Sequence, residues 1–229
     1  MDTQDSMVEV TDLHKRYRLG ERTVDALRGV SFSVAAGTFC AIVGPSGSGK
    51  STLLNIIGLL DTADHGTVRI GASDTAALRR GEAAGFRRNH LGFVFQDFNL
   101  IPVLTAFENV ELPLRVGAAE AGRSRRREWV MSLLEAVGLA EHAGHRPAQL
   151  SGGQQQRVAV ARALVRNPLL VLADEPTANL DSETGGEILE VMHRFNRERE
   201  TTFIFSTHDP AIRARAETTV PLRDGMVQE

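Results

Sequence analysis

The chain has 229 residues, 42% of them hydrophobic and 24% charged, which is enough to bury the core of one large domain or two small ones. Its net charge of −3 argues against the strongly basic surface that a nucleic-acid-binding domain usually carries. A single cysteine, Cys40, excludes an internal disulfide and points to a reducing compartment, and no run of about 18 apolar residues is present to span a membrane.

The opening residues, MDTQDSMVEV, are polar and acidic, with no basic region leading into an apolar stretch, so no signal peptide is expected. Up to about Gly37 the chain reads as short extended segments, MVEVTDL and VSFSV, with glycine turns at Gly20, Gly29 and Gly37. An antiparallel edge is predicted there. FCAIV, Phe39 to Val43, is apolar on both alternating faces, as a strand of a parallel sheet covered on both sides must be. LGFVF (Leu91 to Phe95), LLVLA (Leu169 to Ala173) and TTFIFS (Thr201 to Ser206) share that character. Cys40, inside the first of these runs, reads as a small buried hydrophobe.

Helical periodicity separates the strands. One pattern follows Lys50, with Leu53, Leu54, Ile56, Ile57 and Leu60; another repeats Ile188, Leu189, Val191, Met192 and Phe195. The alternation predicts an α/β fold. From about Phe98 to Val165 the rhythm breaks into three helical patterns, TAFENVELPL, RREWVMSLLEAVGL and SGGQQQRVAVARALV, which reads as a helical insertion. One domain is therefore expected, with a core of 1–96 and 159–229 and a helical subdomain at about 97–158. LRDGMVQE closes the chain soon after a last predicted strand, and no appended domain is expected.

GPSGSGKST, Gly44 to Thr52, fits G-x-x-x-x-G-K-[ST] directly after a predicted strand and directly before a predicted helix. Glycines at 44, 47 and 49 let the backbone curl so that successive N–H groups face phosphate oxygens, and the helix N-terminus adds positive potential. Lys50 would reach the β- and γ-phosphates and the Ser51 hydroxyl would hold Mg2+. The phosphate-binding set is Gly44, Ser46, Gly47, Ser48, Gly49, Lys50, Ser51 and Thr52; a plain glycine-rich turn is the bland alternative. In ADEPTANLD the apolar run LLVL leads into two adjacent carboxylates, Asp174 and Glu175, which repel and are costly to desolvate. Asp174 would hold the metal and Glu175, one step on, would polarise the water that attacks the γ-phosphate. Alone, the pair would read as a capping or solvent-facing acid pair. LSGGQ, Leu150 to Gln154, forms an S-x-x-Q capping box. Two glycines in a first turn cost roughly 1 kcal/mol each relative to alanine, yet leave N–H groups uncovered at a positive helix end.

These three elements, in this order, resemble the ATP-binding-cassette family of nucleotide-binding domains over nearly the whole chain. The resemblance implies a P-loop NTPase (RecA-like) α/β core with an N-terminal antiparallel β subdomain and a helical insertion subdomain. It implies ATP hydrolysis, with ATP and Mg2+ as cofactors. Gln96 matches the Q-loop glutamine, a metal contact beside Ser51 and Asp174; Asn179-Leu180-Asp181 matches the D-loop; His208 matches the switch histidine at the γ-phosphate. Tyr17 matches the aromatic that stacks on adenine. The catalytic group so implied is Lys50, Gln96, Glu175 and His208. Ser151, Gly152, Gly153 and Gln154 are the signature, which in this family contacts ATP held by a second copy. Ala178 and Thr38 depart from common glycine and glutamate, and neither is a catalytic position. His208 also precedes Asp209-Pro210, a good cap and first helical position.

A homodimer with ATP between its subunits is thus implied, with a membrane permease subunit docking near Gln96–Val110. Phe98, Leu100 and Ile101 suit that docking surface, whereas Phe93 and Phe95 read as core. NIIGLLD, GFVFQDFNLIP, ENVELPL and ADEPTANLD look most like the lipoprotein-releasing and macrolide-export branch. A protein of that kind sits on the cytoplasmic face of the inner membrane, held only through its partner. The basic cluster Arg123 to Trp129, flanked by Glu120 and Glu128, reads as a solvated helix face. The competing class is a soluble cassette ATPase acting on DNA or ribosomes. It would need a long coiled coil or a second phosphate loop, and neither is present, so no nucleic-acid partner is expected.

Overall fold

The computed structural model describes residues 6–20, 22–116 and 122–228; the first five residues and Glu120 lie outside the described residues. In chain order its elements begin with β1 (Ser6–Leu19), β2 (Arg22–Ala35), β3 (Phe39–Val43), α1 (Lys50–Ile57), β4 (His65–Ile70) and β5 (Ser73–Asp74). Next come α2 (Arg80–His90), β6 (Leu91–Val94), α3 (Ala106–Arg115), α4 (Arg123–Ala136) and α5 (Gly152–Leu164). Then follow β7 (Leu170–Asp174), α6 (Ser182–Arg199), β8 (Thr202–Thr207), α7 (Pro210–Arg215), β9 (Thr218–Arg223) and β10 (Met226–Val227).

Side-chain alternation in the central strands builds the core. On β3, β7 and β8, Phe39, Ala41, Val171, Ala173, Phe203 and Phe205 face one apolar cluster. Cys40, Ile42, Leu170, Leu172 and Ile204 face the other. α6 closes the first side with Ile188, Leu189 and Met192, and the helical segment adds Val130, Leu133 and Leu134. α1 closes the second side with Leu53 and Ile57, backed by Val8, Val10 and Leu13 of β1. Both faces are thus covered, the condition that permits a parallel sheet. Its order is β10-β9-β3-β8-β7-β6, with only β10 antiparallel to its neighbour. A second, antiparallel sheet has the order β2-β1-β4-β5. This is the expected α/β P-loop core with an antiparallel β subdomain and helices α3 to α5 inserted between β6 and β7.

Two local expectations need correction, and one helix was not expected. Gly29 is not in a turn: it sits inside β2 with φ 77°, where the pairing slips from Leu13↔Val30 to His14↔Arg28. That slip is a bulge, which uses glycine's freedom to place an extra residue in one strand. β6 stops at Val94, one residue short of the expected Phe95, and Gln96 stands in the turn beyond. The unexpected helix is α2, which contains Arg87 and Arg88; none of its residues is buried, so it has no apolar stripe to announce it.

The lobe division expected near residue 158 falls inside α5, a continuous helix. We propose it as a division of packing only: the C-terminal half of α5 already lies against β6, where a Cβ on Gly92 would meet the Ala163 carbonyl oxygen at 2.5 Å. Among the described residues no helix is long and apolar enough to cross a membrane.

Cys40 is fully buried on β3, and burial pushes its thiol up to about 12. The folded protein should therefore be inert to a thiol reagent at pH 8 and react fully once denatured. Rapid labelling of native protein would contradict this placement.

Candidate active site

The phosphate-loop segment runs from the end of β3 into α1 and is wedged between two neighbouring backbones. A Cβ on Gly44 would meet the Leu222 carbonyl oxygen at 2.0 Å, and one on Gly49 would meet that of Ala26 at 2.5 Å. Only glycine fits at either place. Gly49 is the N-cap of α1, with φ 103° and no capping side chain, so the first N–H groups of that helix are left for another acceptor. Ser48 is nearly buried and its Oγ has no partner among the described residues. Lys50, 7% exposed, donates to the carbonyls of Gly44 (2.8 Å) and Pro45 (3.2 Å). A glycine cradle, an unpartnered hydroxyl and a buried ammonium together suit a polyphosphate.

Asp174 ends β7 opposite Ser206 of β8 in parallel register. Its Oδ1 accepts from the Ser51 hydroxyl at 3.1 Å and from the Ser206 hydroxyl. Ser51 and Asp174 form an oxygen donor set suited to a hard divalent cation. Glu175 then takes a left-handed conformation, φ 44°, while its N–H donates to the Ser206 carbonyl at 3.0 Å. This turn sends the second carboxylate elsewhere: Glu175 Oε1 lies 3.0 Å from His208 Nδ1 and 3.7 Å from Lys50 Nζ. A left-handed non-glycine residue costs roughly 1–2 kcal/mol, and such strain clusters at functional sites. Asp209, after His208, caps α7 by accepting from the Ala211 N–H (2.8 Å), and its other oxygen accepts from Thr177 Oγ1 (2.8 Å). His208 therefore stands where a strand end and a helix cap both fix the backbone.

The structure brings together Lys50, Ser51, Asp174, Glu175 and His208. The other expected residues lie around this group. Gln96 is exposed; its carbonyl, not its side chain, accepts from Asn179 Nδ2 at 3.1 Å. Asp181 is the N-cap of α6, accepting from the Thr184 N–H at 2.9 Å, and that hydrogen bond holds its carboxyl below the usual range. Ser151 and Gln154 form the expected capping box on α5: the Gln154 N–H donates to Ser151 Oγ (3.3 Å) and the Ser151 N–H to Gln154 Oε1 (2.9 Å). No hydrogen bond among the described residues joins this turn to Lys50 or Asp174.

Two residues escaped the sequence reading. The Tyr17 hydroxyl donates to Asp61 Oδ2 at 2.6 Å and also lies against the Thr52 hydroxyl. Lys15, nearly buried, reaches Asp61 Oδ1 at 3.0 Å and lies 5.1 Å from the Tyr17 ring centre. Burial raises the Tyr17 hydroxyl above its ordinary value, with the Asp61 hydrogen bond next in effect. Burial would likewise raise Asp61, but hydrogen bonds from Tyr17 and Lys15 outweigh it and hold that carboxyl below its ordinary value. Lys15 and Asp61 thus fix the orientation of Tyr17 beside the start of α1. The only sequence signal was that NIIGLLD ends on an acid.

The family model described as ABC transporter matches residues 27–178. A macrolide export ATP-binding/permease protein, MacB, of Syntrophobacter fumaroxidans is 47% identical over 97% of this chain, which spans only 31% of that relative's length. An uncharacterized ABC transporter ATP-binding protein of Thermotoga maritima is 48% identical over 97% of this chain and 94% of its own. Among solved structures, the ATP-binding cassette MJ0796 (from Methanocaldococcus jannaschii), as a post-hydrolysis dimer bound to ADP and Pi, is 46% identical. It superimposes with a TM-score of 0.89 over 97% of both chains.

Gly153 has a packing role within this chain: a Cβ there would lie 2.2 Å from the Thr184 methyl at the start of α6. Gly153→Ala should lower nucleotide-free stability by about 1–3 kcal/mol, the usual cost of overpacking. Adding Thr184→Ser should recover most of it. Equal melting temperatures for Gly153→Ala and the parent would show that α5 and α6 are not so closely packed.

Proposed function

Because this chain belongs to the ABC transporter family of ATP-binding cassettes, we propose that it binds and hydrolyses ATP as a homodimer that drives a membrane partner of the export or lipoprotein-release type. The observation that carries the reading is the divergence of Asp174 and Glu175. One carboxylate meets the Ser51 hydroxyl and the other meets Lys50 and His208, so a single strand end serves a cation site and a proton-accepting site at once.

The roles follow from chemistry. Loop N–H groups and the α1 N-terminus hold the phosphates. Lys50, on a long flexible stem, exchanges two neutral carbonyl acceptors for phosphate oxygens, which bind an ammonium more strongly. Glu175 orients the attacking water and accepts its proton. His208, hydrogen-bonded to Glu175, holds that carboxylate in place and faces the γ-phosphate. Mg2+ would be held by Ser51, Asp174 and Gln96 and, when bound, would offset charge on the β- and γ-phosphates. Tyr17, braced by Lys15 and Asp61, stacks on the adenine.

The signature turn at Ser151–Gln154 belongs to the helical lobe, so it completes the site of a second copy in a head-to-tail pair. The solved relative MJ0796 is a dimer, which supports this arrangement. ATP then joins two chains, and its hydrolysis removes contacts that favour the closed pair.

A groove of about 470 Å³ between α2, β6, α3 and α5 supports the membrane-partner reading. Its floor includes Phe93 and Phe95, with rings stacked 5.9 Å apart, so these two are wall as well as core. Arg87, Arg88, Arg162 and Arg166 line it, and among the described residues none has a carboxylate within 4.0 Å. Of the apolar residues expected to dock, Ile101 is exposed, but Phe98 and Leu100 are half-buried and Leu100 packs on the core; Val103 is the most exposed. An apolar helix bearing acidic side chains fits this surface. Such a partner would hold the cassette on the cytoplasmic face of the inner membrane. The fused MacB relative, named as ATP-binding and permease in one protein, supports a permease partner.

Glu175→Gln should keep ATP binding while turnover falls about 10²–10⁴-fold, the range for loss of a general base. The same variant should shift from monomer to dimer by light scattering when ATP is added. Turnover near that of the parent would remove Glu175 from the base role.

A further inference from the structure

We propose that His142 is a positioning residue for the signature glutamine, setting the orientation of Gln154 and with it the phosphate-facing start of α5. The proposal rests on the reading that Ser151–Gln154 completes a nucleotide site on a second copy.

The hydrogen bonds leave one arrangement. Gln154 Oε1 accepts the Ser151 N–H at 2.9 Å, so the oxygen end of that amide is committed to the capping box. Its NH2 end therefore faces outward, and it lies 3.2 Å from His142 Nε2. Two donors cannot bond, so Nε2 is the bare, accepting nitrogen and the ring proton sits on Nδ1. His142 Nδ1 is itself buried and among the described residues has no partner, as is true of Nδ1 of His145, whose ring centre is 5.1 Å away. A ring held with its other nitrogen unsatisfied is a costly choice. The Gln154 contact is the one hydrogen bond of that ring among the described residues.

His142 also stands where two parts of the helical lobe meet. It ends a short 3-10 turn, Ala140–His142, and the loop after it caps α3: the Ala143 carbonyl accepts from the Phe107 N–H at 2.9 Å and the His145 carbonyl from the Ala106 N–H at 2.7 Å. Ala106 and Phe107 belong to the Gln96–Val110 segment proposed to receive the membrane partner. A continuous set of hydrogen bonds thus runs from that segment through the His142 loop to Gln154. Loss of the acceptor at Nε2 frees the Gln154 amide to rotate, which weakens the cap and disorders the N–H groups that would face phosphate.

The test uses substitutions at 142 in the Glu175→Gln background and reads the ATP concentration that gives half-maximal dimer. His142→Gln presents an amide oxygen near the place of Nε2, and it should dimerise within about twofold of the Glu175→Gln parent. His142→Lys, equally polar but a donor only, and His142→Ala should each need about tenfold more ATP. Melting temperatures confirm that each variant is folded. If the glutamine, lysine and alanine variants behave alike, His142 does not act through an acceptor and the proposal is overturned. Ser151→Arg separates the two levels of inference. It should abolish ATP-driven dimerisation; a Ser151→Arg protein that still dimerises would overturn the signature reading, and the His142 proposal with it. Blocked dimers there, with no effect at 142, would overturn the His142 proposal alone.

Discussion

Two carboxylates on neighbouring residues at the end of a buried strand repel each other, and the rest of the site is arranged around keeping them apart. Strand geometry alone sends adjacent side chains to opposite faces, but the left-handed turn at Glu175 does more: it gives the second acid a different set of neighbours. Asp174 is left to two hydroxyls, Ser51 and Ser206, supplied by the helix after β3 and by the register of β8. Glu175 is left to Lys50 and His208, two groups able to carry positive charge. Each acid is therefore stabilised by groups from two other strand ends, so the edges of β3, β7 and β8 must align before the site exists. The parallel sheet is thus a condition of the chemistry.

The helical lobe shares an apolar cluster with that sheet, and three further contacts tie it to segments of the proposed machinery. Asn179 reaches the carbonyl of Gln96 and the Asp97 carboxylate, linking the segment after β7 to the one after β6. Gly153 lies against Thr184, beside the Asp181 cap of α6. Arg162 of α5 donates to the carbonyls of Phe98 and Asn99, and burial holds its charge at some cost. A force applied at the segment from Gln96 to Val110 therefore meets both α5 and the start of α6. These contacts are specific hydrogen bonds and one close van der Waals approach, laid over the shared apolar cluster.

Much of this was legible in the residues because the physics was local. β3 begins and ends where the apolar run FCAIV does, since two buried faces demand an unbroken run. The phosphate loop was legible because Gly44 and Gly49 mark places where no Cβ fits. The Ser151–Gln154 cap was legible because its partners are three residues apart. What escaped was long-range or unpatterned. α2 buries none of its residues, so no stripe betrayed it. Gly29 looked like a turn because bulge and turn both use positive φ, and only the partner strand distinguishes them. The bracing of Tyr17 by Asp61 spans 44 positions, and the His142–Gln154 contact depends on a loop whose path no periodicity encodes.

The central claim is that each nucleotide site is built from two chains, with Lys50 from one and Ser151 from the other. Mixing purified Lys50→Ala and Ser151→Arg proteins tests it directly, with ATP hydrolysis as the readout. Each variant alone spoils both sites of its homodimer, while a mixed pair keeps one site with an intact phosphate loop and an intact signature. The account predicts that each protein alone is nearly inactive and that the mixture hydrolyses ATP well above the sum of the two. A mixture no more active than that sum, or a Ser151→Arg protein as active as the parent, would contradict it.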